Sequence, residues 1–336
     1  MTTAAVLTGV GAWVPPTVVT NEELAARLGV TDEWIQRRAG IRQRHVAGPG
    51  TATSDLAVEA GRRALESAGT STVDFVLLAT TTPDHPLPAT APAVAARLGL
   101  RGVPAFDLNA VCTGFAYGMA VASAMIKGGA AASILLIGAD TYSTILDPAD
   151  PGTFPLFGDG AGAVVLRAGS QAEHGAVGEF VLGSDGEGAD LIMVPGGGAR
   201  QRSEPDDPAW VNPHFTMQGK KVFTRAVTSM AEASAGVLRS AGVEPAEVDR
   251  IVGHQANIRI LNTLASQLDI PAERLAVNID RVGNTSAASI PLAMADAAAS
   301  DSLNAGDRVL ITAFGGGLTW GAGLLCWPKV SVLPPN

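Results

Sequence analysis

The chain has 336 residues, 47% hydrophobic and 16% charged; that length holds roughly two domains or one duplicated one, and buries a core without disulfide or metal staples. An ordinary content of glycine (39) and proline (21) excludes a collagen-like or disordered chain, and no apolar run reaches the roughly 18 residues of a membrane span. The formal net charge of −9 excludes attraction to nucleic acid or to an anionic membrane by the net field.

The first segment, MTTAAVLTGVGAWVPP, has no Lys or Arg before Arg27. It does not read as a signal peptide, so a cytoplasmic protein is expected. Residues 31–45, TDEWIQRRAGIRQRH, predict a short helix capped by Thr31, with Asp32 and Glu33 in the first turn and arginines in the last. Trp34 and Arg38 are four apart and share a face. A flat ring beside a guanidinium suits a nucleotide, the ring on the base and Arg on phosphate. A tucked-in Trp with a surface Arg is the plainer alternative. Arg37, Arg38, Arg42 and Arg44 make a local basic patch on an acidic chain, fit for a small anionic ligand or simply a solvated helix end.

Residues 64–76, ALESAGTSTVDFV, predict a helix end, a glycine stop and a buried strand. AFDLNAVCTGFAYGMAVASAMIKGG follows, with a strand ending at Leu108 and a buried helix over 115–126. Cys112 sits at that helix start. Unpaired amides and the dipole there favour thiolate and can hold an oxyanion; otherwise a lone Cys is a small buried hydrophobe. The glycine string at 158–163, GDGAGA, is followed by the strand VVL and not by a helix, which disfavours dinucleotide binding. Residues 195–215 are rich in Pro and Gly and read as a surface loop.

Residues 237–252, VLRSAGVEPAEVDRIV, repeat the 64–76 pattern: Leu65, Ser67, Ala68, Gly69, Val73 and Asp74 match Leu238, Ser240, Ala241, Gly242, Val248 and Asp249. The strand at Ile134 matches that at Val309, and each half closes with Phe-Gly-x-Gly and a strand, from Phe157 and from Phe314. The chain is therefore a fused duplication, 1–170 and 171–336. Its near-continuously apolar strands (VDFVLLAT, ASILLIGA, DRVLITAF) imply α/β sheets buried on both faces.

His254 follows the second Val-Asp strand, where open α/β sheets place their sites. Asn284, in GNTSAASIP, falls in the segment equivalent to that of Cys112. A turn Asn and a hydrogen-bonded core His are the plainer readings of these two. The duplication instead brings Cys112 towards His254 and Asn284, a constellation for acyl transfer. The other cysteine, Cys326, is assigned to packing in the middle of the last strand, and the other histidines to the surface. No CxxC, HExxH or Cys/His cluster suggests a metal.

Six motifs in register, DEWIQRRAGIRQRH (32–45), CTGF (112–115), FGDGAGA (157–163), HQANIRI (254–260), GNTSAASIP (283–291) and FGGGLTWG (314–321), resemble β-ketoacyl-acyl-carrier-protein synthase III. This is a condensing enzyme of the thiolase superfamily. The resemblance implies a duplicated thiolase-like αβαβα five-layer fold, usually dimeric. Cys112 would take an acyl group from acyl-CoA. His254 and Asn284 would then support decarboxylative condensation with a malonyl-acyl carrier protein, and the amides of Cys112 and Gly316 would form the oxyanion hole. Phe314 would wall the malonyl site. Trp34 and Arg38 would hold CoA, Met217, Gly219, Phe223 and Asn257 would line the pantetheine tunnel, and Arg259 would help dock the carrier protein. Leu87 matches a position that limits the acyl pocket from a partner subunit, and its modest size implies a longer or branched primer. No cofactor is implied; both thioesters are substrates. Pro151 and Thr224 stand where relatives often carry Arg and Lys near CoA, which leaves a carrier-bound or shorter donor open. A non-condensing acyltransferase and a catalytically silent partner subunit are the rivals. A biosynthetic thiolase would need a second catalytic Cys, which Cys326 does not supply.

Overall fold

The computed structural model describes residues 3–335. Helix Thr53–Ala68 stops at Gly69 and helix Gly219–Ala241 at Gly242, both with φ of 64°. Thr70 then donates to the Leu65 carbonyl at 3.1 Å and Val243 to that of Leu238 at 3.0 Å. Glycine makes this left-handed closure without strain. The two Val-Asp segments also behave alike. The Asp74 carboxylate takes the amides of Ala132 and Ser133 at 2.7 and 2.9 Å, and the Asp249 carboxylate takes the Arg308 amide at 2.8 Å. Asp74 thus ties two strands together at their start, and the strand expected to begin at Val73 begins at Phe75.

The strands of the two large sheets are numbered in chain order. The first sheet holds Thr3–Trp13 (β1), Phe75–Ala79 (β2), Ala105–Leu108 (β3), Ser133–Asp140 (β4) and Gly160–Ser170 (β5), in the order β1-β5-β4-β2-β3. The second holds Val177–Ser184 (β6), Arg250–Gly253 (β7), Arg308–Gly315 (β8) and Thr319–Cys326 (β9), in the order β6-β9-β8-β7. In each sheet one internal strand pairs antiparallel on one side and parallel on the other: β4 between β5 and β2, and β8 between β9 and β7. A single parallel bridge from Ile251 to Leu275 stands where the second sheet would have a counterpart of β3.

Helices Gly114–Lys127 and Ser289–Ala299 lie between the sheets. Thr53–Ala68 covers the outer face of the first sheet, and Gly219–Ala241 with Ile258–Gln267 covers that of the second. The architecture is α/β in five layers, helix, sheet, helix, sheet, helix. All of β4 after Ser133 is buried, which accounts for its unbroken apolar run. Among the described residues no helix is long and apolar enough to cross a membrane.

The glycine string at 158–163 runs into a strand and not a helix, its residues from Gly160 onward already lying in β5. Two local expectations need correction. The 195–215 loop contains the short helix Ala199–Ser203 and returns Phe215 to the interior. Cys326 closes β9 at its last position and is only half-buried. It lines a groove with Lys127, Glu179 and Arg308 that shares no residue with the cavity at Cys112.

Candidate active site

The chain leaves β3 and enters a single 3-10 turn, Val111–Thr113, before helix Gly114–Lys127 begins. Val111 is held at φ 50°, a left-handed conformation that a β-branched residue rarely takes. That turn carries Cys112 into the interior, with only 8% of its surface exposed. Burial pushes its thiol up to about 12; the hydrogen bond it shares with Ser286 opposes this, and the charge of Asp140 adds to it. The thiolate expected from the helix start is thus not the resting form. Loss of water costs the charged sulfur more than the nearby amides return.

His254 is the first residue past β7, and its amide donates to the Thr312 carbonyl at 2.8 Å. Its Nδ1 lies 2.7 Å from the Ser289 hydroxyl. Burial lowers its pKa to about 3, so the imidazole is neutral at physiological pH. Asn284 precedes a matching 3-10 turn, Ser286–Ala288, and its Oδ1 accepts the Ser286 amide at 2.9 Å. The turn role considered for this residue is therefore made, and it occupies only the oxygen of the carboxamide.

Cys112, His254, Asn284 and Phe314 line one cavity of about 50 Å³. Tyr142, Phe157 and Phe215 close part of its wall, with ring centroids 4.4 to 5.4 Å apart. A larger groove of about 760 Å³ is lined by Trp34, Arg38, Met217, Gly219, Phe223, Asn257 and Arg259. Phe157, Met217, Val222, Ala256, Ile260 and Asn284 line both spaces, so the groove leads into the cavity. The Arg38 guanidinium lies 4.8 Å from the Trp34 ring centroid, and that of Arg259 lies 5.5 Å from the Phe223 ring. Asn257 caps helix Ile258–Gln267 through its Oδ1, while its Nδ2 donates to the Arg38 carbonyl at 2.8 Å. That bond fixes the two sides of the groove to each other.

One predicted residue lies apart from this set: Leu87 is 86% exposed and lines neither space. Gly315, the neighbour of the predicted Gly316, packs directly behind Cys112: a Cβ there would stand 2.9 Å from the amides of Cys112 and Thr113.

Three polar residues at the site escaped the sequence reading. The Cys112 thiol donates to the Ser286 hydroxyl at 3.7 Å, Ser289 orients His254, and Asp140 is fully buried. Asp140 accepts from the Thr81 amide at 2.7 Å, the Thr82 amide at 3.1 Å and the Ala287 amide at 3.1 Å. The rule that singled out His254, a polar group at the carboxyl end of a buried strand, applies equally to Asp140 at the end of β4. Ser286 and Ser289 stand two and five residues past Asn284 within GNTSAASIP.

Comparison with known proteins agrees with this geometry over the whole chain. Residues 106–186 match the family described as 3-oxoacyl-(acyl-carrier-protein) synthase III, and residues 238–327 match the C-terminal part of the same family. A β-ketoacyl-(acyl-carrier-protein) synthase III of Streptomyces coelicolor is 58% identical over 99% of this chain and 100% of its own length. The crystal structure of a 3-oxoacyl-(acyl carrier protein) synthase III from Pseudomonas aeruginosa superposes with a TM-score of 0.92 at 50% identity, covering 98% of this chain and 99% of the other. A priming β-ketosynthase of a polyketide biosynthetic pathway superposes with a TM-score of 0.90 at 32% identity, covering 97% and 96%. The chain therefore belongs to the β-ketoacyl-acyl-carrier-protein synthase III family of acyl-transferring condensing enzymes.

Proposed function

We propose that Cys112 accepts an acyl group from acyl-CoA as a thioester and passes it to a carbanion generated from malonyl-acyl carrier protein. The observation that carries this reading is the single apolar cavity holding Cys112, His254 and Asn284, reached by a groove with Trp34 and Arg38 on its wall.

In the first step the sulfur attacks the thioester carbonyl, and the oxyanion is met by the amides of Cys112 and Gly316; CoA leaves as its thiolate. In the second, the malonyl carboxylate departs as carbon dioxide. The electron pair it leaves needs hydrogen-bond donors at the thioester oxygen and no proton-removing base. The neutral His254 suits that demand: in the tautomer whose Nδ1 accepts from Ser289, Nε2 carries the donating proton. Asn284 supplies its Nδ2, the oxygen already being held by the Ser286 amide. Phe314, 4% exposed, gives the departing carboxylate an apolar neighbour. The resulting carbanion attacks the acyl-Cys carbonyl and releases the Cys112 thiolate.

Trp34 and Arg38 hold the nucleotide end of CoA. Arg37 and Lys220 on the same groove supply positive charge that Pro151 and Thr224 do not. Arg259, at the groove rim over Phe223, meets the acidic carrier protein. The enzyme works as a homodimer whose second subunit covers the exposed Leu87 and closes the acyl pocket. No cofactor takes part, and the reaction runs in the cytoplasm.

The test is incubation with acyl-CoAs of graded length and branching, followed by malonyl-acyl carrier protein and assay of carbon dioxide. The reading expects acylation of Cys112, a preference for primers longer than acetyl, and carbon dioxide in step with product. Acyl transfer without carbon dioxide supports the non-condensing acyltransferase instead.

A further inference from the structure

The arginines of the 37–44 patch do not share one fate. Arg37 and Arg42 are exposed, whereas Arg44 is 1% exposed and meets no solvent anion. A guanidinium taken out of water needs acceptors for its donors. That of Arg44 donates to the Val19 carbonyl at 3.1 Å, to Asn21 Oδ1 at 2.8 Å and to the Pro155 carbonyl at 2.6 Å. Its stem lies against two glycines: a Cβ at Gly158 or at Gly283 would stand 3.1 Å from the Cβ of Arg44. Gly283 precedes Asn284, and Gly158 follows Phe157. The Asn284 amide donates to the Leu156 carbonyl at 2.9 Å, its carbonyl accepts the Gly158 amide at 3.0 Å, and a parallel bridge joins it to Phe157. Pro155 and Leu156 share the 3-10 turn Phe154–Leu156, so Arg44 grips the residue next to the one on which the Asn284 amide rests.

We propose that Arg44 is a positioning residue for Asn284. It fixes the 155–158 segment, and through it the backbone from which the carboxamide reaches the malonyl thioester. This deepens the proposed reaction and rests on Asn284 donating its Nδ2 there. The Asn284 oxygen is held by the Ser286 amide, so a shift of this backbone carries Nδ2 away from its target. Misplacing a reacting or stabilising group by about 1 Å costs up to about a hundredfold in rate. The CoA side of the groove is anchored separately. Asn21 Nδ2 donates to Asp32, in the first turn of helix Asp32–Ala39, and to the Ile41 carbonyl, each at 2.7 Å, and neither bond involves Arg44. Cys112 sits on its own turn, Val111–Thr113. Loss of the Arg44 grip is therefore felt in decarboxylation and not in acylation.

The experiment compares the wild type, R44M and R44K in two assays: single-turnover acylation of Cys112 by acyl-CoA, and carbon dioxide release from malonyl-acyl carrier protein by the acylated enzyme. A thermal melt reports the fold. R44M removes every donor, whereas R44K keeps the stem and the charge but offers one nitrogen in place of the fork. The expected kcat for carbon dioxide release is about tenfold lower or more in R44M and about threefold lower in R44K. Acylation stays within about twofold of the wild type, and the KM for the malonyl thioester changes little. R44K carries the test on the same readings should R44M fail to fold. Release at the wild-type rate in R44K or in a folded R44M would overturn the proposal. Equal losses in both assays would overturn it as well, since they mark a merely structural arginine. The wild type, run alongside, separates the two readings: acylation without carbon dioxide removes the condensation itself, whereas normal release with unaffected variants removes only the role of Arg44.

Discussion

In the first half of the chain Asn109 Oδ1 accepts the Val111 amide at 3.1 Å; in the second, Asn284 Oδ1 accepts the Ser286 amide at 2.9 Å. Two residues later the Thr113 amide donates to Ala110 and the Ala288 amide to Thr285, each at 3.0 Å. Val111 and Ser286 share a φ of 50°. The two turns, 109–113 and 284–288, are thus one backbone used twice, with Cys112 equivalent to Ala287. They differ in what the strand packed against each turn ends on. β4 ends on Asp140, whose carboxylate takes the Ala287 amide at 3.1 Å, while β8 ends on Gly315, which stands against the Cys112 amide without a side chain. One copy of the turn has its anion built in. In the other, a glycine sets no carboxylate against the same amide, as the oxyanion role proposed for that amide requires. The contrast explains why a nucleophile is useful in only one of the two.

Breaking the catalytic copy has the largest expected effect. Cys112→Ala should end acyl labelling and reduce carbon dioxide release by roughly a thousandfold or more, measured with acyl-CoA and malonyl-acyl carrier protein. Making the copies more alike is next. Gly315→Ala puts a methyl 2.9 Å from the Cys112 and Thr113 amides, and single-turnover acylation should fall by about a hundredfold. A thermal melt checks that the fold survives. His254→Ala separates the two steps: decarboxylation should fall about a hundredfold while Cys112 still acylates. A smaller effect is expected outside the duplicated turns, in the groove. Trp34→Ala removes the ring under Arg38 and should raise the KM for acyl-CoA several-fold with little change in kcat.

The same second-half residue gives a stability prediction. The folded pKa of His254 is depressed to about 3, against an unfolded value of 6.5. Below 6.5 the unfolded chain binds a proton that the folded chain refuses. Stability should therefore fall as pH drops from 6.5 towards 3, and His254→Gln should flatten that dependence in denaturant titrations.

The sequence disclosed the duplication because its markers have strict local causes. A left-handed helix stop needs Gly69 or Gly242, and the ties at Asp74 and Asp249 need a carboxylate at a strand start. It also singled out Cys112 and His254 from the strand ends that precede them, and Asn284 from the equivalence of its segment to that of Cys112. Asp140 was hidden at the end of an apolar run, where an acid reads as the return to solvent. Ser286 and Ser289 were lost among small residues whose partners lie 174 and 35 positions away. The protonation of Cys112 was misread for a related reason. Helix polarity is visible in a sequence, whereas the water removed by Tyr142, Phe157 and Phe215 depends on packing from distant segments.

The most direct test of the account is peptide-level mass spectrometry of the wild type after acyl-CoA, then again after malonyl-acyl carrier protein. The acyl mass should sit on the peptide bearing Cys112 and vanish in the second step as carbon dioxide and the extended carrier thioester form. An acyl mass on any other residue, or one on Cys112 that persists after the malonyl thioester is added, would contradict it.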